Sequence, residues 1–585
     1  MRRSARLAIL VAVPLATPAA AQGAGERLRA LFTEEWEWRL REDPLLATQA
    51  GDARYNDRLP RVGLADQQRR AARNREWLAR VRAIPRDSLD GPARINRDLF
   101  EREKRLDVEE SELRAYLIPI TNREGFHTFF PELGDNVPLA TTADYEKYIA
   151  RLAGFRQYAR EHAELMRQGL REGMVLPSIS VQGMETMLQP HVVDDPTKSL
   201  LWKPFTAFPA GVPRGEHARL AAAGREAIAT SVVPGFREFL EFMQREYVPG
   251  ARPAIGASAL PNGRAYYAQR VRSYTTLDVT PAEVHRTGLA EVARIRAEME
   301  TVMRSTGFRG TFPEFLQFLR TDARFRTASA DELLSRTALV LKRMDGELPK
   351  LFGRLPRTPY GIRTVPEFIA PRTTTAYYTQ PAGDGTRAGF YWVNVFDLHN
   401  RPTYEIEALS LHEAVPGHHI QLALQQEMDD VPHFRRFGGV TAFVEGWALY
   451  AERLGKEVGF YTDPYSDFGR LTYEMWRACR LVVDTGIHDQ GWTRQQAIDY
   501  MAANTGLSIL NITNEVDRYI AWPGQALAYK TGEMKIRELR AFAERELGPA
   551  FDRRRFHDVV LGSGSIPLTV LEANVRAYVA EQKAR

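Results

Sequence analysis

The stretch Leu411-His412-Glu413-Ala414-Val415-Pro416-Gly417-His418-His419 constrains this chain more than any other, because it sets three histidines and a glutamate around a helix-breaking pair. In the ordinary zinc-peptidase motif two histidines at i and i+4 share a helix face and bind the metal, and the glutamate beside the first acts on bound water. Here the spacing is longer. On a straight helix, at about 100° per residue, His418 would stand about 240° round from His412, and His419 would lie about 10 Å further along the axis. Neither could share one ion with His412 at bond lengths near about 2 Å. Pro416 lacks an N–H for the carbonyl of His412, and Gly417 tolerates unusual dihedrals, so a two-residue bulge is expected to swing His418 to where an i+4 ligand sits. The competing reading is a plain helix end with solvated histidines. Against it stands Glu445, 26 residues after His419, in the apolar run Phe443-Val444-Glu445-Gly446-Trp447-Ala448. A glutamate among apolar neighbours is a liability unless it is paired or bound to metal. Glu452 lies on the same helix face.

Most of the remaining chain reads as helix. Thr280-Pro281-Ala282-Glu283 is an N-cap with proline at the first position and a capping-box glutamate, followed by Val292, Ile295, Met299 and Met303 at helical spacing. Amphipathic patterns recur over 143–171, 216–246, 330–350, 405–430, 440–456, 465–490, 494–504, 524–546 and 567–582. Stretches rich in proline and glycine near 186–214 and 247–264 read as surface connections. The best strand candidate is Phe390–Phe396, which follows the turn-like Gly383-Asp384-Gly385. The expected fold is mainly α, with a small β-sheet beside the motif helix.

The first residues read as a secretory leader. Arg2, Arg3 and Arg6 precede an apolar run from Leu7 to Ala16, and Ala19-Ala20-Ala21 offers a cleavage site before Gln22. Residues 1–21 are therefore expected to be removed and the protein exported, periplasmic or secreted, with no stable membrane anchor; the apolar run is well short of about 20 residues. The only cysteine is Cys479, which excludes a lipid-bearing cysteine at the cleavage site, an intramolecular disulfide and a thiolate zinc site. The formal charge is 79 − 74 = +5, or 76 − 74 = +2 without the leader arginines, too balanced to point to nucleic acid. No nucleophile elbow, phosphate loop or dinucleotide fingerprint is present.

At the histidine motif the sequence resembles the bacterial domain-of-unknown-function family numbered 885, whose members carry His-Glu-x-x-Pro-Gly-His and a downstream Glu-Gly-Trp-Ala block. The resemblance extends to Asp384-Gly385-Thr386-Arg387, Tyr391-Trp392-Val393-Asn394, Arg480 through His488, Glu515 through Ile520, Pro523-Gly524-Gln525-Ala526 and Phe556-His557-Asp558. It implies a large multi-helix, zinc-peptidase-like fold of the thermolysin-like type, with residues 271–585 as the zinc-hydrolase region and 22–270 as an N-terminal helical lobe or lid. By the same resemblance His412, His418 and Glu445 would hold one Zn2+ per chain and Glu413 would be the general base. His419 is the member of the motif without an assigned role.

Tyr519, Tyr529, His488 and His557 are candidates to donate a hydrogen bond to an oxyanion, and Arg518 to receive a peptide carboxylate. Arg480 and Asp484, at i and i+4, read as a helix-stabilising pair. In thermolysin-like peptidases an edge strand beside the motif helix pairs with extended substrate; by that analogy the strand of Tyr391 to Phe396 would present Asn394 to substrate backbone, unless the strand is interior and the asparagine incidental. The reading as a whole is an exported zinc-dependent metallopeptidase acting on oligopeptides. Two alternatives stay open: a zinc hydrolase of another small acyl substrate, amide or ester, and a non-catalytic envelope binding protein.

Overall fold

The computed structural model describes residues 18–585. The expected leader lies outside the described residues except for its last four, which begin helix α1 (Pro18–Glu42). With α2 (Leu64–Arg82) and α3 (Gly91–Glu112), α1 lays its apolar stripe, including Ala24, Leu28 and Trp36, against the main core. Phe32 and Phe100 both pack on Phe434, ring centres 5.0 and 5.3 Å away. A second core is built by α4 (Thr142–Glu172), α5 (Arg214–Ala227) and α6 (Val233–Phe242), together with the loop segments beside them. The two cores do not follow a boundary at residue 270. Helices α1–α3 belong to the main core, and residues 120–247 supply nearly all of the second. The 186–214 stretch is likewise no mere surface connection. Leu201, Phe205 and Val212 are buried, and the hydroxyls of Tyr145 and Tyr148 donate to the carbonyls of Pro204 and Leu201, both at 2.8 Å.

Helix α7 (Pro281–Ser305) starts at the expected capping box: Glu283 N donates to Thr280 Oγ1 and Thr280 N to Glu283 Oε2. After α8 (Ala330–Leu351) come β1 (Tyr360–Thr364), β2 (Ala376–Thr379) and β3 (Gly389–Val393), in spatial order β1-β3-β2. β1 runs parallel to β3, and β2 runs antiparallel with Tyr378 opposite Tyr391. The predicted strand is thus shorter than Phe390–Phe396, and it is central. Asn394 ends it, because its backbone N–H still reaches Thr375 O while its side chain turns to other carbonyls.

The rest of the main core comprises α9 (Ile406–Glu413), α10 (His418–Gln426), α11 (Thr441–Leu454), α12 (Pro464–His488), α13 (Ile509–Ala521), α14 (Ala528–Leu547) and α15 (Leu568–Ala584). Helix α12 is buried along almost its whole length, with Cys479 in its middle. Helices α7, α12 and α14 are joined by buried charges. Lys530 Nζ, with no exposed side-chain surface, sits 3.1, 2.9 and 2.7 Å from carboxylates of Glu291, Glu474 and Glu533. Glu474 is in turn paired with Arg294, Arg470 and Arg537. Among the described residues no helix is long and apolar enough to cross a membrane.

Candidate metal centre

The motif helix does not bulge; it breaks. α9 stops at Glu413, Ala414 takes φ −110° and ψ −101°, the Val415–Pro416 peptide is cis, and α10 begins at His418. Proline has no N–H with which to continue the α9 ladder. Gly417 is required by close approach, since a Cβ there would lie 1.9 Å from the His412 carbonyl oxygen and 2.5 Å from that of Leu411. The break re-aims the chain, so that His418 faces back onto His412 with ring centres 4.8 Å apart.

Helix α11 supplies the third group. It packs so closely on α14 that a Cβ at Gly446 would meet Gly532 backbone at 2.5 Å, and Trp447 Nε1 donates to Pro416 O at 3.0 Å, tying α11 to the break. Glu445 Oε2 lies 3.6 Å from His412 Nε2 and 3.4 Å from His418 Nε2. Among the described residues His412, His418 and Glu445 form the group of potential ligands whose donor atoms all fall within 4.8 Å of one another. Two nitrogens and one oxygen at about 2.0–2.1 Å from a tetrahedral zinc would stand about 3.3 Å apart. Glu445 Oε2 is buried with no hydrogen-bond partner, a state costly for a carboxylate and natural for a ligand atom. The donor set and its spacing fit zinc.

Around this point the electrostatics are shaped by burial. Burial would neutralise Glu445, but His418 and His412 hold its carboxyl well below the usual range. Burial raises Glu413, opposed by His412 and His418. Glu413 makes no hydrogen bond or ion pair among the described residues, so its carboxylate is free beside the ligands. His412 Nδ1 bonds Glu452 Oε1 at 2.8 Å, which directs Nε2 at the ligand point, and Arg477 Nη2 lies 3.4 Å from the same oxygen. His418 Nδ1 has no partner.

The other sequence candidates are placed as follows. His419 is not with the ligands; its Nδ1 meets Tyr378 OH at 2.7 Å and its Nε2 meets Thr358 O at 3.0 Å, and burial pulls it to about 4. His488 accepts from Ala257 N and donates to Tyr519 O, and burial pulls it to about 3. His557 bonds Leu351 O and Tyr450 OH. Both nitrogens of each ring are engaged, so neither histidine is free to donate to an oxyanion. Tyr519 donates to Glu515 Oε2 at 2.7 Å while receiving Trp476 Nε1 and Arg480 Nε, so its proton too is committed. Tyr529 OH receives Arg518 Nη2 and Gln525 Nε2 and keeps its own proton to give.

Asn394 is fully buried, its Nδ2 donates to the carbonyls of Ala370, Thr373 and Thr374, and its Oδ1 accepts from Phe396 N. That overturns the substrate role expected for it: no donor or acceptor is left over, and β2 rather than β3 is the edge strand on the ligand side. Tyr391 is fully buried and offers no open surface to a substrate. Arg480 and Asp484 are not a pair. Arg480 holds Glu515, and Asp484 accepts from Tyr267 OH and Gly524 N. Sequence reasoning did not single out Arg123, a loop residue of the N-terminal half whose Nη1 lies 3.6 Å from Glu515 Oε1.

Residues 44–575 match the family described as bacterial protein of unknown function (DUF885). Among solved structures, the chain is similar to one from Colwellia psychrerythraea titled a "putative lipoprotein", at 28% identity and TM-score 0.90, covering 95% of this chain and 99% of that one. A "putative lipoprotein of unknown function" from Shewanella oneidensis shares the fold at 18% identity and TM-score 0.69, covering 94% of this chain and 99% of that one. No functionally curated protein matches. The chain belongs to the DUF885 family.

Proposed function

We propose that this member of the DUF885 family is an exported zinc-dependent metallopeptidase that hydrolyses peptide bonds of oligopeptides. The observation that carries the reading is the convergence of His412, His418 and Glu445 beside the unpartnered carboxylate of Glu413. Three protein ligands leave a fourth position, and a zinc ion held there would acidify water and polarise a carbonyl. Glu413, standing among buried groups with no competing partner, takes a proton from the attacking water and returns it to the departing amine nitrogen. Glu452 holds His412 in the tautomer that presents Nε2. Tyr529 has a free hydroxyl proton to offer to developing negative charge. Export is supported by the basic and apolar leader; two similar structures carry titles describing lipoproteins, whereas the one cysteine of this chain is buried in α12.

The test is metal content of the mature protein together with cleavage of a mixed peptide library by wild type and Glu413→Gln. One zinc per chain in both, with cleavage by wild type alone, is the expected result. Zinc without cleavage of any peptide would move the assignment to another amide or ester, and absence of metal would refute the centre.

A further inference from the structure

Three arginines come together around one carboxylate. Glu515, with no exposed side-chain surface, is bonded by Arg480 and lies 3.5 Å from Arg518 Nη1 and 3.6 Å from Arg123 Nη1. Arg518 spends its other nitrogen on neutral partners, Gln525 Oε1 at 3.0 Å and Tyr529 OH at 3.1 Å. Arg123 Nη2 donates to Thr374 Oγ1, two residues before β2, and Nη1 groups of both Arg123 and Arg480 are buried without a hydrogen-bond partner. Glu124 is the second acid in range, yet it bonds to none of them. Burial raises its carboxyl, and Arg518 and Arg123 pull the other way. Thr374 leads into β2, whose Tyr378 ring lies 6.3 Å from that of His418, so this strand joins the arginines to the metal ligands. Three guanidinium groups against two carboxylates leave one positive charge over. An excess buried charge is costly unless an anion joins it.

The source of these residues matters. Arg480 and Arg518 come from α12 and α13 of the main core, whereas Arg123 comes from a tight loop before the second core, held by Thr121, whose Oγ1 accepts from Arg123 N and Glu124 N. The loop thus brings a donor of the N-terminal half to Glu515 and Thr374 of the C-terminal half. Arg123 and Arg518 keep 12% and 14% of their side-chain surface exposed, against 2% for Arg480, so they are the two that a ligand can touch.

We propose that Arg123 and Arg518, braced by Arg480 and Glu515, dock the free C-terminal carboxylate of a peptide, so that the enzyme cuts near the C-terminus of its substrates. Guanidinium groups match a carboxylate with two parallel N–H donors. The proposal rests on the peptidase reading for its chemistry: one water adds across the amide, the C–N bond breaks, the amine nitrogen gains the proton, and the released fragment keeps its original carboxylate.

The test uses an N-acetylated peptide as the free acid and as the C-terminal amide, with two readouts. In turnover by the zinc-loaded protein, the acid is expected to be cut with at least tenfold higher kcat/KM, and Arg123→Gln to reduce the acid to the level of the amide. In binding to zinc-loaded Glu413→Gln, measured by calorimetry, the acid is expected to bind at least tenfold tighter. Arg123→Lys keeps the charge and serves where Arg123→Gln fails to fold. Equal cleavage of acid and amide would overturn the docking proposal and leave the peptidase reading intact. Failure to cut either peptide, with tighter binding of the acid, would overturn the peptidase reading and keep the docking site. Equal binding of the two would overturn the docking site.

Discussion

Replacing Glu452 by Gln isolates what the partner of His412 contributes. The bond from His412 Nδ1 is 2.8 Å long, and the side chains are 3% and 2% exposed, so water cannot substitute for the carboxylate. Gln keeps an acceptor in the same place and removes the charge. A hydrogen bond to a charged group contributes about 1.5–3 kcal/mol and a neutral one about 0.5–1.5 kcal/mol. The difference of about 1–1.5 kcal/mol corresponds to about tenfold in zinc affinity, the low end of the about 10–100-fold seen for such outer partners. Glu452→Ala is the poorer probe, because it removes the acceptor facing both His412 and Arg477 as well as the charge. The assay is competition for zinc against a chromophoric chelator, with thermal unfolding of the metal-free protein as the control for folding. Zinc affinity within twofold of wild type, at unchanged unfolding temperature, would refute the reasoning that Glu452 orients the ligand.

His418→Ala is expected to abolish stoichiometric zinc binding, whereas His419→Ala retains it and loses only the bonds to Tyr378 and Thr358; metal analysis of both variants decides the ligand choice. Gly417→Ala is expected to cost about 1–3 kcal/mol of stability and to displace His418, while Gly346→Ala, on an open face of α8, costs nothing, as calorimetry of the pair would show. Acid should loosen the second core. His127, His162 and His191 are buried there, pulled by burial to about 3, 3 and 4 from an ordinary value near 6.5, so the unfolded state binds more protons below pH 6.5. Their neutral forms support folding fully above that pH, and the support is lost as pH falls toward the folded values, about 2 kcal/mol for each histidine at pH 5. Hydrogen exchange at pH 7 and pH 5 should show protection lost over residues 126–247 at the lower pH; unchanged protection there would contradict this.

Much of the site was legible because its signals are local. Pro416 and Gly417 announce a disruption between His412 and His418, and an acid amid Phe443, Val444 and Trp447 announces a buried glutamate with a task. The disruption was larger than a bulge because Gly417 passes against two carbonyls at once, a tertiary crowding that no local pattern states. The sheet order was not legible, since β1 and β2 are short and only their pairing with Gly389–Val393 makes that strand central. Spacing of i and i+4 suggested Arg480 with Asp484, but both side chains are used across helices, Arg480 toward Glu515 of α13 and Asp484 toward Tyr267 and Gly524. Arg123 carries no mark in its own loop; its meaning comes entirely from α12 and α13, about 350 to 400 residues later in the chain.

The buried charges joining α7, α12 and α14 restrict how this chain can change over time. Removing Lys530 alone takes the shared cation from Glu291, Glu474 and Glu533 and leaves them only the arginines beside them, a costly change in a buried group, while joint replacement by apolar residues of similar volume is close to neutral. Substitutions in this cluster are therefore strongly dependent on one another. A lineage can hold the cluster or abandon it wholesale, but the intermediate sequences lie in a valley, so the three helices inherit their charges as a block.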